Sequence, residues 1–196
     1  MADTCSMDFL TVPTATFGLL YVLVILSHER REIVHLNVTS SPNADWIAQQ
    51  IAEAFPYDTP RFLLRDNDKK YGHAVKDRIK SMGIEDVTTA FRSPWQNPYC
   101  ERVIGSIRRE CLDHVIVMNE KHLRRVLSGY VDNYHGSRTH QSLNNDCPTM
   151  HCSSLGYPCC HAVLGAFWET TRTITKADNC TSRWLRRPWK TSFLAV

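Results

Sequence analysis

The sequence predicts a mixed α/β domain whose five-stranded sheet is flanked by helices. Three apolar segments follow one another near the start with only short polar turns between them, which favours an antiparallel three-strand meander. Helical and strand-like patterns then alternate along the chain, as they do when helices pack on a mixed sheet. The composition, 43% hydrophobic and 22% charged over 196 residues, is typical of a globular protein with one ordinary domain.

The first three strands are predicted from their apolar patterns. Residues 5–12 alternate polar and apolar side chains until a proline ends the run. Residues 17–27, rich in Leu, Val and Ile, predict a second strand that is buried on both faces, and residues 31–39 predict a third. Because side chains alternate along a strand, Asp8 is expected on the face opposite Met7.

Four helices and two short strands make up the rest of the predicted core. Capping residues mark three helix boundaries: Asn43 precedes the first helix, Gly83 follows the second, and Asn97 with Pro98 begins the third. The helices are predicted over residues 44–55, 72–82, 98–113 and 120–134, and the strands over residues 61–65 and 85–91.

Charge and composition restrict the class of protein. The net charge of +3 and the pI near 8.4 are compatible with nucleic-acid binding but do not require it. The longest apolar run, residues 17–26, is far shorter than a membrane-spanning helix, and the first sixteen residues lack the basic segment of an export signal. We therefore expect a cytoplasmic protein without a membrane partner, whose eight cysteines are reduced thiols.

Three acidic residues lie on separate predicted elements. Asp66 ends the strand at 61–65, Glu101 lies just inside the third helix 35 residues later, and Asp8 lies in the first strand. Such carboxylates suit a pair of Mg²⁺ ions that catalyse phosphodiester transfer, with Asp8 as the bridging ligand. Asp68 is an alternative to Asp66, although the two lysines that follow it suggest a solvated position. Spacing alone does not establish a shared metal site, and the alternative is that the three acidic residues are unrelated.

The third helix carries a second feature beside its acidic residue. Glu101, Gly105 and Arg108 form one stripe along its surface, so Glu101 and Arg108 are expected to point the same way. Gly105 leaves room for a bulky group to approach, or for another element to pack closely. On helical position alone, Arg108 is equally an ordinary surface arginine.

From about Met7 to Leu143 the chain closely resembles the catalytic core of retroviral-integrase-like (DDE) transposases encoded by bacterial insertion sequences. The resemblance is carried by the 35-residue spacing, by Ser-Pro-Trp-Gln-Asn over residues 93–97, by the arginine seven residues after the glutamate, and by Tyr-His-x-x-Arg-x-His-x-Ser-Leu over residues 134–143. It implies an RNase H-like fold and a reaction in which water or a DNA 3′-hydroxyl attacks a phosphodiester.

The resemblance also implies roles for individual residues. Asp8, Asp66 and Glu101 would be the catalytic ligands of two Mg²⁺ ions, for which Mn²⁺ can substitute, and Arg108 would contact phosphate near the scissile bond. The partners would be transposon ends and target DNA, with a homo-oligomer assembled on DNA in the nucleoid and no small-molecule substrate.

Three further residues are candidate DNA contacts with open alternatives. Trp95 could stack on a base, although burial at the start of the helix is the favoured role for it. Arg138 and His140 either bind the DNA backbone or cap the preceding helix, and the sequence favours neither.

The ends of the chain depart from this family pattern. The predicted core spans residues 1–146 and lacks the helix-turn-helix segment that relatives carry upstream. Residues 147–196 are rich in Cys and Trp without strand or helix periodicity, which suggests a poorly ordered or frame-shifted tail. Two rival functions follow: a nuclease of the same fold that does not join DNA, and an inactive relic that retains weak DNA binding.

Overall fold

The computed structural model describes residues 3–68, 70–90, 93–140, 143, 147 and 148. The predicted tail therefore lies outside the described residues, except for Cys147 and Pro148. These two residues are held to the core by Arg30, whose guanidinium donates to the Pro148 carbonyl at 2.7 Å and to the Cys147 carbonyl at 3.0 Å. The side chain of Cys147 is buried.

Five strands form one mixed sheet in the order β3-β2-β1-β4-β5. The first three strands are an antiparallel meander, while β4 and β5 run parallel to β1. The strands are β1 (Thr4–Pro13), β2 (Leu19–Ser27), β3 (Ile33–Thr39), β4 (Phe62–Arg65) and β5 (Glu85–Thr88). This arrangement confirms the predicted fold class.

Four helices cover the two faces of the sheet. They are α1 (Ala44–Ala54), α2 (His73–Ser81), α3 (Pro98–Glu110) and α4 (Glu120–Ser137), with short 3-10 turns at Pro94–Gln96 and Leu112–His114. Helices α1 and α2 pack on one face against Met7 and Leu23, and α3 and α4 pack on the other face against Leu10 and Val22. The alternation along β1 thus separates two apolar cores, as its sequence pattern predicts.

Local signals explain most of the helix boundaries. Asn43 caps α1 through its side chain, which accepts a hydrogen bond from the Trp46 amide at 2.8 Å. Gly83, two residues after α2, has φ +71°, the left-handed conformation that the predicted C-terminal glycine requires. The third helix is shorter than predicted, because the backbone at the buried residue Cys111 leaves the helical region and a 3-10 turn follows.

Asn97 differs from its predicted role as a capping side chain. It precedes α3 but makes no side-chain capping hydrogen bond. Its amide instead makes a long contact of 3.5 Å with the Met7 carbonyl on β1. The side chain therefore links the start of α3 to the strand that carries Asp8.

Strand β4 is fixed to β5 by an ion pair. Arg65, which is 2% exposed, donates through Nε and Nη2 to the two carboxylate oxygens of Asp86, each at 2.7 Å. The guanidinium also lies over the Tyr71 ring, 5.2 Å from its centroid. A two-pronged pair of this kind fixes both distance and orientation, so it holds the strand end where Asp66 follows.

Within the described part of the chain, no helix has the length and apolar character needed to cross a bilayer. Four cysteines of the described part of the chain are buried: Cys5, Cys100, Cys111 and Cys147.

Candidate active site

The first two candidate carboxylates are neighbours through strand pairing. Strands β1 and β4 are parallel, and the last pair in their register joins Met7 to Arg65. Asp8 and Asp66 are the next residue on each strand, so the backbone places them side by side at the end of the paired segment. The sequence predicts both positions but not the register that aligns them.

Asp66 is exposed and held by short hydrogen bonds. Its Oδ1 accepts from the Asn67 amide at 2.7 Å and from the Thr89 hydroxyl at 2.9 Å. Thr89 is buried just after β5, and its own amide donates to the Arg65 carbonyl at 2.9 Å. Thr89 thus orients the Asp66 carboxylate, a role that the sequence does not signal because the two residues are distant along the chain.

Glu101 lies exposed in the first turn of α3, while the residue before it faces the core. Cys100 is fully buried, with its Sγ 3.9 Å from the Val24 carbonyl of β2. Val24 is also the cross-strand partner of Asp8. The packing of Cys100 therefore holds the start of α3 beside the position of Asp8 on the sheet.

The electrostatics of Asp8 connect the three acidic groups. Burial, and after it the negative charges of Asp66 and Glu101, raise the pKa of the Asp8 carboxyl to about 6, against the opposing effect of a hydrogen bond from the Phe9 amide. Each charge contributes because the structure brings the two other carboxylates close enough to act on Asp8. Strand β1, the loop after β4 and α3 thus converge on one acidic region.

This acidic region fits a divalent cation by its chemistry. Its donors are carboxylate oxygens, which Mg²⁺ prefers, and a dication would offset the burial and the repulsion that together raise the pKa of Asp8. Among the residues that the structure describes, no three His, Cys, Asp or Glu side chains are close enough together to hold a metal ion as they stand.

Lys70 is a candidate functional residue that no sequence pattern identifies. Its ammonium lies over the rings of Phe9 and Tyr21, at 5.5 and 5.2 Å, and its charge acts on Asp8. It also pairs with Asp68 at 3.3 Å. Asp68 therefore has a cationic partner beside it, whereas Asp66 accepts its hydrogen bonds from Asn67 and Thr89.

The space beside Gly105, in the stripe along α3, is occupied by an arginine side chain. A Cβ added at Gly105 would lie 3.0 Å from Nη1 of Arg109, whose guanidinium folds back over this position. The group that fills the space is thus a side chain of the same helix. Arg108 is exposed in the last turn of α3, as predicted for a residue two turns after Glu101.

The structure overturns the favoured role of Trp95. The side chain is 70% exposed in the 3-10 turn before α3, so it is not a buried tryptophan at the loop–helix junction. An exposed indole keeps its ring face available for stacking.

Arg138 and His140 lie around a separate cavity. The guanidinium of Arg138 pairs with Glu110 and contacts the Ser106 hydroxyl at 3.2 Å, so it ties the end of α4 to α3. His140 and Arg138 both line a cavity of about 530 Å³, whose described lining includes none of the three carboxylates.

Comparisons with known proteins agree with this architecture. Residues 82–148 match the family model described as "Integrase core domain". The match includes Glu101, Arg108 and the motif at residues 134–143, but it begins after Asp8 and Asp66. No curated protein matches the chain in sequence.

Solved structures extend the similarity over the sheet. The catalytic domain of the Mos1 mariner transposase is 14% identical, with a TM-score of 0.58, and the match covers 67% of this chain and 70% of that one. The simian T-cell lymphotropic virus intasome in complex with the PP2A regulatory subunit B56 gamma gives 13% identity and a TM-score of 0.65, covering 82% of this chain and 58% of that one.

A third similar structure is the HTLV-2 integrase catalytic core domain in complex with magnesium. It is 10% identical, with a TM-score of 0.59, and the match covers 75% of this chain and 93% of that one. At these identities the likeness establishes the fold, which is the integrase-type, RNase H-like one that the sequence predicts.

Proposed function

We propose that this chain, whose residues 82–148 match the integrase core domain, is the catalytic core of a DDE-type transposase. Its reaction would be DNA transposition by metal-dependent phosphodiester cleavage and strand transfer. The observation that carries the proposal is the convergence of Asp8, Asp66 and Glu101 from three separate elements, close enough that the charges of Asp66 and Glu101 act on Asp8.

Asp8, Asp66 and Glu101 would hold two Mg²⁺ ions, for which Mn²⁺ can substitute. When bound, such ions lower the pKa of an attacking water or 3′-hydroxyl and neutralise charge on the phosphodiester. Asp8 would bridge the ions from its position on β1, and Thr89 would keep the Asp66 carboxylate oriented. The magnesium in the complex of the HTLV-2 core supports this choice of metal.

Other residues would position the DNA. Arg108 presents a guanidinium on the α3 stripe that begins at Glu101, and a guanidinium suits bidentate phosphate contact. Trp95, exposed before α3, would stack on an unpaired base near the cleavage point. Lys70 beside Asp8 would attract the phosphate backbone toward the carboxylates.

DNA is therefore the proposed partner, as both transposon end and target. The assembly of a viral neighbour as an intasome supports a homo-oligomer formed on DNA. Binding to chromosomal DNA would place the protein at the nucleoid.

A strand-transfer assay tests the function directly. The substrate is a duplex carrying the DNA that flanks the gene, incubated with Mg²⁺ and the full chain. Asp66→Asn and Glu101→Gln should each remove both cleavage and joining, whereas Asp113→Asn, an exposed acidic control in the turn after α3, should retain them. Full activity in either carboxylate variant would overturn the site assignment.

The same assay distinguishes the two rival functions. Cleavage without joined products would identify a nuclease of this fold. Retained DNA binding without any cleavage would identify an inactive relic.

We also propose that residues 147–196 arose by a shift of reading frame, because the composition changes directly after the motif at residues 134–143. Translation of the other two frames of the gene tests this. The absence of integrase-like sequence in both frames would contradict it.

A further inference from the structure

A basic cavity of about 530 Å³ lies among the turn between β2 and β3, helix α3 and the segment after α4. Four basic residues line it, namely Arg31, Arg102, Arg138 and His140, and no acidic residue is part of its described lining. Its volume is in the range of pockets that hold small ligands or a group of a larger one. We call it the basic cavity.

Arg31 is held in place by its surroundings. Its backbone has φ +60°, which non-glycine residues rarely adopt, and its carbonyl accepts a hydrogen bond from the Tyr134 hydroxyl at 3.0 Å. Its guanidinium stacks on Tyr99, 3.4 Å from the ring centroid. Nη1 of this guanidinium is buried and has no hydrogen-bond partner among the described residues.

His140 presents a second buried group without a partner. Its Nε2 is buried and unpaired within the described residues, and its ring meets that of Tyr134 edge-on at 5.3 Å between centroids. Burial lowers the pKa of His140, and the charges of Arg138, Arg31 and Arg102 lower it further. All three arginines therefore act on this ring.

The positive charge of the cavity is only partly balanced. Glu110 pairs with Arg138 and leaves Arg31 and Arg102 as the uncompensated charges among the lining residues. Buried donors without partners are rare in folded proteins, and they are expected where a ligand supplies the missing acceptors. The tetrahedral oxygens of a phosphate are the acceptors that converging guanidinium groups match best.

We infer that the basic cavity binds a phosphate group, with Arg31, Arg102 and His140 as its donors and Arg138 as a positioning residue. The phosphate is either free phosphate or a backbone phosphate of DNA, and the latter source rests on the proposed function. The site is distinct from the carboxylates, although Glu101 and Arg102 are adjacent in α3.

Binding of inorganic phosphate to the full chain tests the inference. Calorimetric titration at constant ionic strength should give saturable binding with a stoichiometry of one. Arg102→Gln and His140→Gln should each weaken it about tenfold, a change typical of losing one charge-assisted hydrogen bond. Arg109→Gln is the matched control, because it removes the same charge from the same helix at a residue outside the cavity lining.

Non-saturable binding, or equal weakening by Arg109→Gln and Arg102→Gln, would overturn the inference. Arg31→Gln is a second test in which circular dichroism first verifies folding, because the substitution also removes the stacking of the guanidinium on Tyr99.

A DNA oligonucleotide distinguishes the two sources of phosphate. If inorganic phosphate competes with DNA and Arg102→Gln weakens both, the cavity holds a backbone phosphate. If DNA binding is unaffected while phosphate binding falls, the cavity holds free phosphate. If the chain binds phosphate but no DNA, the result supports the phosphate site in the basic cavity and contradicts the proposed transposase function.

Discussion

The acidic region and the basic cavity share α3 but are built in opposite ways. Burial, and after it the like charges of Asp66 and Glu101, raise the pKa of Asp8, so the acidic region disfavours a negative charge that a cation would stabilise. The basic cavity contains donors without acceptors, so an anion would satisfy it. One helix, α3, thus carries the two opposite charges, Glu101 in the acidic region and Arg102 in the lining of the basic cavity.

The largest expected effect is at Asp8, where one substitution should lower the activity and raise the stability. Asp8→Asn should reduce cleavage at least about a thousandfold, as loss of a central catalytic group does. Without Mg²⁺ the same change should raise the free energy of unfolding at pH 7 by about 1–2 kcal/mol, because it removes a half-buried charge whose pKa is raised to about 6.

Urea denaturation with and without Mg²⁺ measures the stability effect. Mg²⁺ should stabilise the wild-type chain and Arg102→Gln alike, but it should not stabilise Asp8→Asn. A chain that is less stable after Asp8→Asn would show that the carboxylate supports the fold instead of straining it.

The ion pair next to the acidic region should contribute more to the free energy of unfolding than the ion pair at the basic cavity. Arg65 is 2% exposed, so Arg65→Met leaves Asp86 unpaired and should cost about 2 kcal/mol of unfolding free energy. The Arg138–Glu110 pair is more hydrated, with side chains 32% and 43% exposed, so Glu110→Gln should cost less than about 1 kcal/mol.

Thermal and urea unfolding of both variants compare the two pairs. The double variant with Arg65→Met and Asp86→Val should recover part of the loss, because no charge then remains unpaired. Equal costs for Arg65→Met and Glu110→Gln would contradict the difference in burial.

The sequence predicted the acidic region better than the basic cavity, for a physical reason. Asp8 and Asp66 end up together because strand alternation and parallel pairing are regular, and Glu101 follows a helix start that Pro98 marks. Only the strand register and the orienting contact from Thr89 required the structure.

The basic cavity depends on contacts that no local pattern encodes. Arg31 lies in a polar turn whose sequence does not signal its left-handed backbone, and it meets Tyr99 and His140 from distant parts of the chain. The exposure of Trp95 was not predicted either, because burial at the junction of a loop and a helix depends on tertiary packing that the local sequence does not encode.

The smallest expected effect is a pH dependence of stability from the histidines near the basic cavity. Burial lowers the pKa of His28, His135 and His140 below the ordinary value near 6.5, so the unfolded chain takes up protons first as the pH falls. Stability from these groups is complete above that value and declines as the pH drops toward their lowered pKa values. Arg31, Arg102 and Arg138 face His140 and oppose its protonation.

Urea denaturation from pH 8 to pH 5 measures this slope, with Asp8→Asn as the background so that its carboxyl does not titrate. His140→Gln should make the dependence shallower by at most about 1.4 kcal/mol per pH unit, the contribution of one proton. His73→Gln is the control, because His73 is exposed at the start of α2. An equal change in both variants would show that the arginines around the basic cavity do not act on His140, and it would remove the electrostatic contrast with the acidic region.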